Sequence, residues 1–194
     1  MKKKIRKKEI LKTAAGLFKE KGYNAVTMRD LAKEMDIKAA SLYNHIDSKQ
    51  QILSELILEV AQRFTEGMDK IDCKENPALE KLEEVIEFHI DITLSYTDVL
   101  ASLNNDWMHL ENQELEDYLM MRQRYEDNFK TIIKKGIEEG SIQHYNEEIM
   151  LFSILSTLRT LYLWYPKKEK IKAEILKEQM VDTLLYGLVR RNLT

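Results

Sequence analysis

An all-α fold is predicted by three features of this 194-residue chain. Six Gly and two Pro leave few interruptions, Ala, Leu, Glu and Lys are abundant, and apolar residues recur three and four apart along almost the whole length. With 44% hydrophobic and 32% charged residues, the chain has enough apolar material for a sizeable core and an ordinary globular composition.

The elements follow in order. Ile5 to Lys21 forms the first predicted helix, with Ile10, Leu11, Ala14, Leu17 and Phe18 on one face and Gly22 where a left-handed cap belongs. Thr27 offers a hydroxyl to cap a short second helix that turns Leu31 and Ala32 inward and stops near Met35 and Asp36. Lys38 to His45 is the third, with Leu42 and Ile46 for the core and small residues at Ala39, Ala40 and Ser41. Ser48 and Gln51 have capping-box spacing and open a long amphipathic helix along Ile52, Leu53, Leu56, Ile57, Val60, Ala61 and Phe64.

Asn76-Pro77 then signals a start for Ala78 to Ser95, with Leu82, Val85, Ile86, Ile90 and Leu94 on one side. A shorter segment, Asp98 to Trp107, precedes the long charged helix Glu111 to Glu139, which ends at Gly140. Glu147 to Trp164 is apolar around much of its circumference. The last helix, Ala173 to Arg191, carries Ile175, Met180, Leu184, Leu185 and Leu188.

Charge divides the chain unevenly. Residues 1–49 hold 13 Lys and Arg against six Asp and Glu, a net +7, whereas the chain as a whole is −3. A basic block on an acidic body suits a polyanion, because cations beside phosphates release condensed counterions. A solvated lysine-rich terminus would show the same charge. Cys73 is the single cysteine, so no internal disulfide is possible, and a reducing cytoplasm is expected. The basic N-terminus lacks a signal-type apolar stretch, and Ile149 to Tyr165, the most apolar window, is interrupted by Arg159 and several hydroxyls, so no membrane span is expected.

Two short helices joined by a tight turn, the second starting with small residues, make a helix-turn-helix plan. Small side chains let that helix sit deep in a major groove about 12 Å wide. The runs Ile10-Leu-Lys-Thr-Ala-Ala-Gly-Leu-Phe18, Gly22-Tyr-Asn-Ala-Val-Thr-Met-Arg-Asp-Leu-Ala32, Ile37-Lys-Ala-Ala-Ser-Leu-Tyr-Asn-His-Ile46 and Ser48-Lys49 resemble the TetR family of bacterial repressors over roughly residues 5–55. Two positions depart from its pattern: Asp36 stands where Gly is frequent, and Lys38 where a capping Ser or Thr is common. Asp tolerates a left-handed turn. Lys38 opposes the helix dipole but suits a phosphate or guanine edge.

The resemblance implies a three-helix DNA-binding domain over 1–48 and a helical ligand-binding and dimerisation domain over 49–194, linked by the fourth helix. It also implies that Tyr43, Lys49 and Thr27 touch phosphates, while Lys38, Ala39, Ala40, Ser41 and Asn44 face bases, with Asn44 suited to adenine and the alanines to thymine methyls. Arg29 is a candidate guanine reader. Tyr43 could instead pack within the small domain, and His45 could contact DNA, cap, or pack beneath the fourth helix. Proteins of this kind dimerise through their last two helices, so a homodimer on a palindromic operator is expected, with half-sites about 34–36 Å apart.

No motif marks an effector pocket. Polar or aromatic residues on apolar faces are the available clues for a small apolar or aromatic ligand: Phe88, His89, Ile92, Trp107, Met108 and Tyr118, followed along the chain by Met121, Tyr125, Phe152, Leu155, Arg159 and Tyr162. His89 or Arg159 would supply a polar anchor, and plain core packing is the competing account for each residue. A ligand-independent architectural or cell-division factor of the same fold is the alternative. No catalytic residues, metal site or cofactor are expected. The Glu-x-x-His pattern of di-iron bundles is absent, and Asp106 three residues before His109 reads as a helix-surface pair.

Overall fold

The computed structural model describes residues 2–168 and 171–187, with side chains from Arg6 onward. The described residues form α1 (Lys2–Lys21), α2 (Met28–Glu34), α3 (Ala39–Tyr43), α4 (Lys49–Asp72), α5 (Ala78–Ser95), α6 (Thr97–Asn105), α7 (Asn112–Glu138), α8 (Glu147–Trp164) and α9 (Ala173–Tyr186). Single 3-10 turns lie at Tyr23–Ala25, Trp107–His109 and Tyr165–Lys167, and no strand occurs among the described residues.

The expected boundaries hold for α5 and α8 and less closely elsewhere. α3 is shorter than Lys38 to His45, α6 ends at Asn105 before a separate 3-10 turn, and α9 is described to Tyr186, capped by Gly187 at φ 79°. Leu188 and the stretch to Arg191 lie outside the described residues.

The chain divides into two compact units. The first runs up to Thr65 and takes in Ser95–Arg124, and the second comprises Glu66–Leu94 and the described residues from Tyr125 on. The boundary expected at 48/49 therefore falls inside the first unit, at the start of α4. The core of that unit joins Ile10, Phe18, Leu31, Leu42, Ile46 and Leu53 with Leu110 and Tyr118, so α1–α3 share one hydrophobic core with the start of α4, the end of the α6 segment and the first half of α7. Three short helices bury little apolar surface alone, and these additions enlarge it.

In the second unit the core is built from Leu82, Val85, Ile86, Ile90, Phe129 and Ile132, all close to fully buried, with Leu155, Leu158 and Leu161 of α8 also inside. Gly67 matters here because a Cβ at that position would collide with the Phe88 ring, so α5 lies against bare α4 backbone. The buried Lys81 donates to the Asp72 carbonyl at 2.6 Å and satisfies the last turn of α4. No helix among the described residues is long and apolar enough to cross a membrane.

Candidate nucleic-acid interface

Local chemistry shapes the α2–α3 corner. Gly22, at φ 82°, ends α1 with its N–H bonded to the Phe18 carbonyl at 2.8 Å. Thr27 caps α2 reciprocally: its Oγ1 accepts from the Asp30 N–H at 3.2 Å, while the Asp30 carboxylate accepts from the Thr27 N–H at 2.9 Å and hydroxyl at 2.6 Å. Those bonds hold the Asp30 carboxyl below its ordinary range, the Thr27 side-chain bond being the largest cause. Asp36 adopts φ 52°, so an acidic residue occupies the left-handed turn between α2 and α3. Ser48 caps α4 as expected, its Oγ accepting from the Gln51 N–H at 3.0 Å, but Gln51 reaches back to the Asp47 N–H rather than to that of Ser48.

Across α3 the side chains divide cleanly. Leu42 and Ile46 are fully buried, whereas Lys38, Ala40, Ser41 and Asn44 are exposed, as is Tyr43 at 51%; Ala39 is half-buried. Lys38 occupies the N-cap position without a side-chain capping bond, as an ammonium with no acceptor must. Thr27 and Arg29 are also exposed. His45 is half-buried, with Nδ1 enclosed and unbonded.

Lys49, expected at a phosphate, has internal partners. Its ammonium donates to the Tyr23 carbonyl at 2.8 Å and lies 4.1 Å from the Tyr23 ring centroid, and burial pushes its pKa down. In this conformation the charge holds the turn ahead of α2.

The expected effector residues separate between the units. Trp107, Tyr118 and Met121 pack in or against the core of the first unit, with Trp107 and Tyr118 rings 5.7 Å apart, and Met108 is 61% exposed. In the second unit His89, Ile92, Tyr125, Leu155 and Tyr162 are buried, while Phe88 and Arg159 are half-buried. Phe152 is a correction: it is 72% exposed, because the apolar residues of α8 continue onto its outer side. Met108 is corrected on the same ground, since an exposed side chain lines no interior cavity.

His89 and Tyr125 form a buried polar pair, Nδ1 to hydroxyl 3.2 Å. Burial, then the nearby Arg159 charge, lowers the His89 pKa to about 3, and burial raises that of Tyr125, so both are neutral near pH 7. Arg159 itself bonds Glu126 at 2.5 Å.

The outer face of α8 carries Ile149, Phe152, Leu163 and Trp164, all exposed, separated by hydroxyl residues. Ser153, Thr157 and Thr160 donate to the carbonyls of Ile149, Ser153 and Ser156 at 2.7, 3.1 and 3.0 Å. Their polar hydrogens are thus satisfied within the helix, and the face can be covered by apolar atoms without stranding a hydroxyl proton. Ile175 and Tyr186 add exposed apolar surface on α9.

Sequence reasoning missed the role of Asp106 and His109. Asp106 and His109 are not an isolated surface pair, because His109 is fastened to the Tyr23 turn of the first unit and Asp106 lies beside it. No local pattern signals this, since the partners are some 85 positions apart.

Known proteins resemble this arrangement throughout. Residues 10–56 match the family described as bacterial regulatory proteins, tetR family, and residues 75–188 match the tetracyclin repressor-like C-terminal domain. The transcriptional repressor KstR2 of Mycobacterium tuberculosis is 27% identical over 195 residues, covering 95% of this chain and 94% of that protein. The TetR family regulator PfmR from Thermus thermophilus is 28% identical, with a TM-score of 0.81 over 93% of this chain and 99% of that one. AibR, solved with isovaleryl coenzyme A and operator DNA, shares the fold at a TM-score of 0.80 and 21% identity, covering 94% of this chain and 98% of its own.

Proposed function

The chain belongs to the TetR family of bacterial transcriptional regulators, and from that premise we propose that it is a homodimeric repressor that releases a palindromic operator when a small effector binds its second unit. The observation carrying the DNA-binding part is the outward face of α3: small and polar side chains are exposed while Leu42 and Ile46 anchor the helix from behind. Ala40 and Ser41 allow close approach to the groove, Ala39 lies at its margin, and Lys38 and Asn44 supply polar contacts to base edges. Tyr43 reaches a phosphate through its hydroxyl, with Thr27 and Arg29 alongside, and Lys49 joins them only if it leaves Tyr23. His45 supports the helix by packing.

The dimer forms through the outer faces of α8 and α9, where large exposed apolar side chains lie among internally bonded hydroxyls. An isologous contact would place two copies of α3 for a two-fold symmetric site. For the effector, Phe88, His89, Ile92, Tyr125, Leu155 and Tyr162 offer an apolar and aromatic environment with a neutral hydrogen-bonding pair, and Arg159 an adjacent charge. These suit a small apolar or aromatic group bearing a carbonyl or hydroxyl. An acyl group of the type held by AibR is one such chemistry. Helix α4 contributes to both units, so an effector that favours a different α4 position alters the reading heads; a useful switch needs about 1–3 kcal/mol of preference for the released state.

Selection from random-sequence duplexes with purified full-length protein at about 150 mM salt tests this reading. Enrichment of an inverted repeat is the expected result. Recovery without sequence preference would replace it with an architectural role, and failure to retain DNA would contradict both.

A further inference from the structure

Tyr23 sits in the turn between α1 and the Thr27 cap, so its position sets where α2 begins. The residue is buried, and it is held from four directions. Its N–H faces the Asp106 carboxylate. Its carbonyl accepts from Lys49 at 2.8 Å, its hydroxyl donates to Gln50 Oε1 at 2.8 Å, and its ring meets Phe18 edge-on at 5.2 Å and the His109 ring in a stack at 5.3 Å. Gln50 extends the link, its Nε2 donating to the His109 carbonyl at 2.7 Å, and the next residue, Asn24, places Nδ2 3.2 Å from His109 Nε2. Lys19 to Asp98, at 2.7 Å, ties α1 to α6 in the same unit.

Apart from Phe18 and the Val26 N–H within the same turn, the groups around Tyr23 come from the start of α4 or from residues 106–109. The 106–109 segment offers no exposed basic side chain for phosphate, so its contribution to DNA binding is through placement. We propose that His109 is a positioning residue for DNA recognition, holding the Tyr23–Asn24 turn, and through it α2 and the recognition helix, in the orientation that fits the major groove.

Magnitudes indicate which contact matters. Asn24 is exposed, so its bond to His109 competes with water and contributes little, whereas a stacked pair on a buried tyrosine is worth about two- to twelvefold in an equilibrium. The ring should therefore be the working part of His109, and a phenyl ring should replace it.

This inference rests on the reading of the chain as an operator-binding protein, and the experiment separates the two. Wild type, His109→Ala and His109→Phe are titrated against a duplex selected from random-sequence DNA and against a scrambled duplex, with helicity and melting followed by circular dichroism. His109→Ala should remain folded and bind the selected duplex about fivefold to tenfold more weakly, with scrambled-duplex affinity unchanged, and His109→Phe should recover most of the loss. Equal affinity of wild type and His109→Ala overturns the proposal. So does a His109→Phe variant as impaired as His109→Ala, or a loss explained by the unfolded fraction. A wild type indifferent to sequence overturns the operator-binding reading itself.

Discussion

Two exposed helix faces, on α3 and on α8, invite different partners. Around Lys38, Ala40, Ser41 and Asn44 the exposed side chains are small or polar; along Ile149, Phe152, Leu163 and Trp164 they are large and apolar. Water solvates the first face at little cost, and its value lies in low relief and in donors aimed outward. The second leaves large apolar groups in water and gains free energy when covered. Exposure alone identifies neither surface. The chemistry left exposed differs, a hydrogen-bonding edge in one case and an apolar stripe in the other, and on the proposed function the first is the groove reader and the second the dimer interface.

Substitutions that act on one face and spare the other test this contrast. The largest effect is expected from Phe152→Glu, which puts a charge within the apolar stripe on its most exposed large side chain. Dimer dissociation measured by sedimentation should become about thirtyfold easier or more, the scale of an aromatic hot spot. The folded protomer should be retained, because the position is exposed in the single chain. An unchanged dimer would move the interface elsewhere.

The interior of the second unit gives the next effect. His89 titrates at about 3 in the folded protein, below its ordinary 6.5, so between those values the unfolded chain binds the extra proton. Stability consequently falls as pH drops below 6.5 and stops falling from this source near 3, by roughly 2 kcal/mol between pH 6.5 and 5. Urea unfolding of wild type and His89→Leu at pH 7 and 5 checks this: the variant should show a shallower loss, and equal losses would contradict the burial argument.

A smaller change is expected for Tyr43→Phe, which removes one hydroxyl from the α3 face. Operator binding should weaken by about 1 kcal/mol, roughly fivefold, with dimer affinity unaltered, as a fluorescence titration would show. A loss of stability instead would assign Tyr43 to packing.

The sequence made the local devices legible because each is encoded within a few residues. Thr27 with Asp30, Gly22 ahead of Tyr23 and Asp36 at its left-handed turn needed only short-range chemistry, and Leu42 with Ile46 marked the buried side of α3. What stayed hidden is long-range. α8 is apolar nearly all round, and helical periodicity cannot say which side its own chain covers, so Phe152 read as a cavity residue when it faces outward. Trp107, Tyr118 and Met121 looked like a ligand lining because their use in the first unit's core depends on α6 and α7 packing there. The partners of Lys49 and His109 were hidden for the same reason: both meet Tyr23 across distances in sequence that no motif spans.

The most direct test of the central claim is sedimentation of the wild-type protein with its selected operator across a salt series. A complex of two chains per inverted repeat, or a multiple of two, is predicted, with log affinity falling steeply and linearly as log salt rises, because Lys and Arg of the reading heads displace counterions from phosphates. A single chain per site, or affinity insensitive to both salt and sequence, would contradict it.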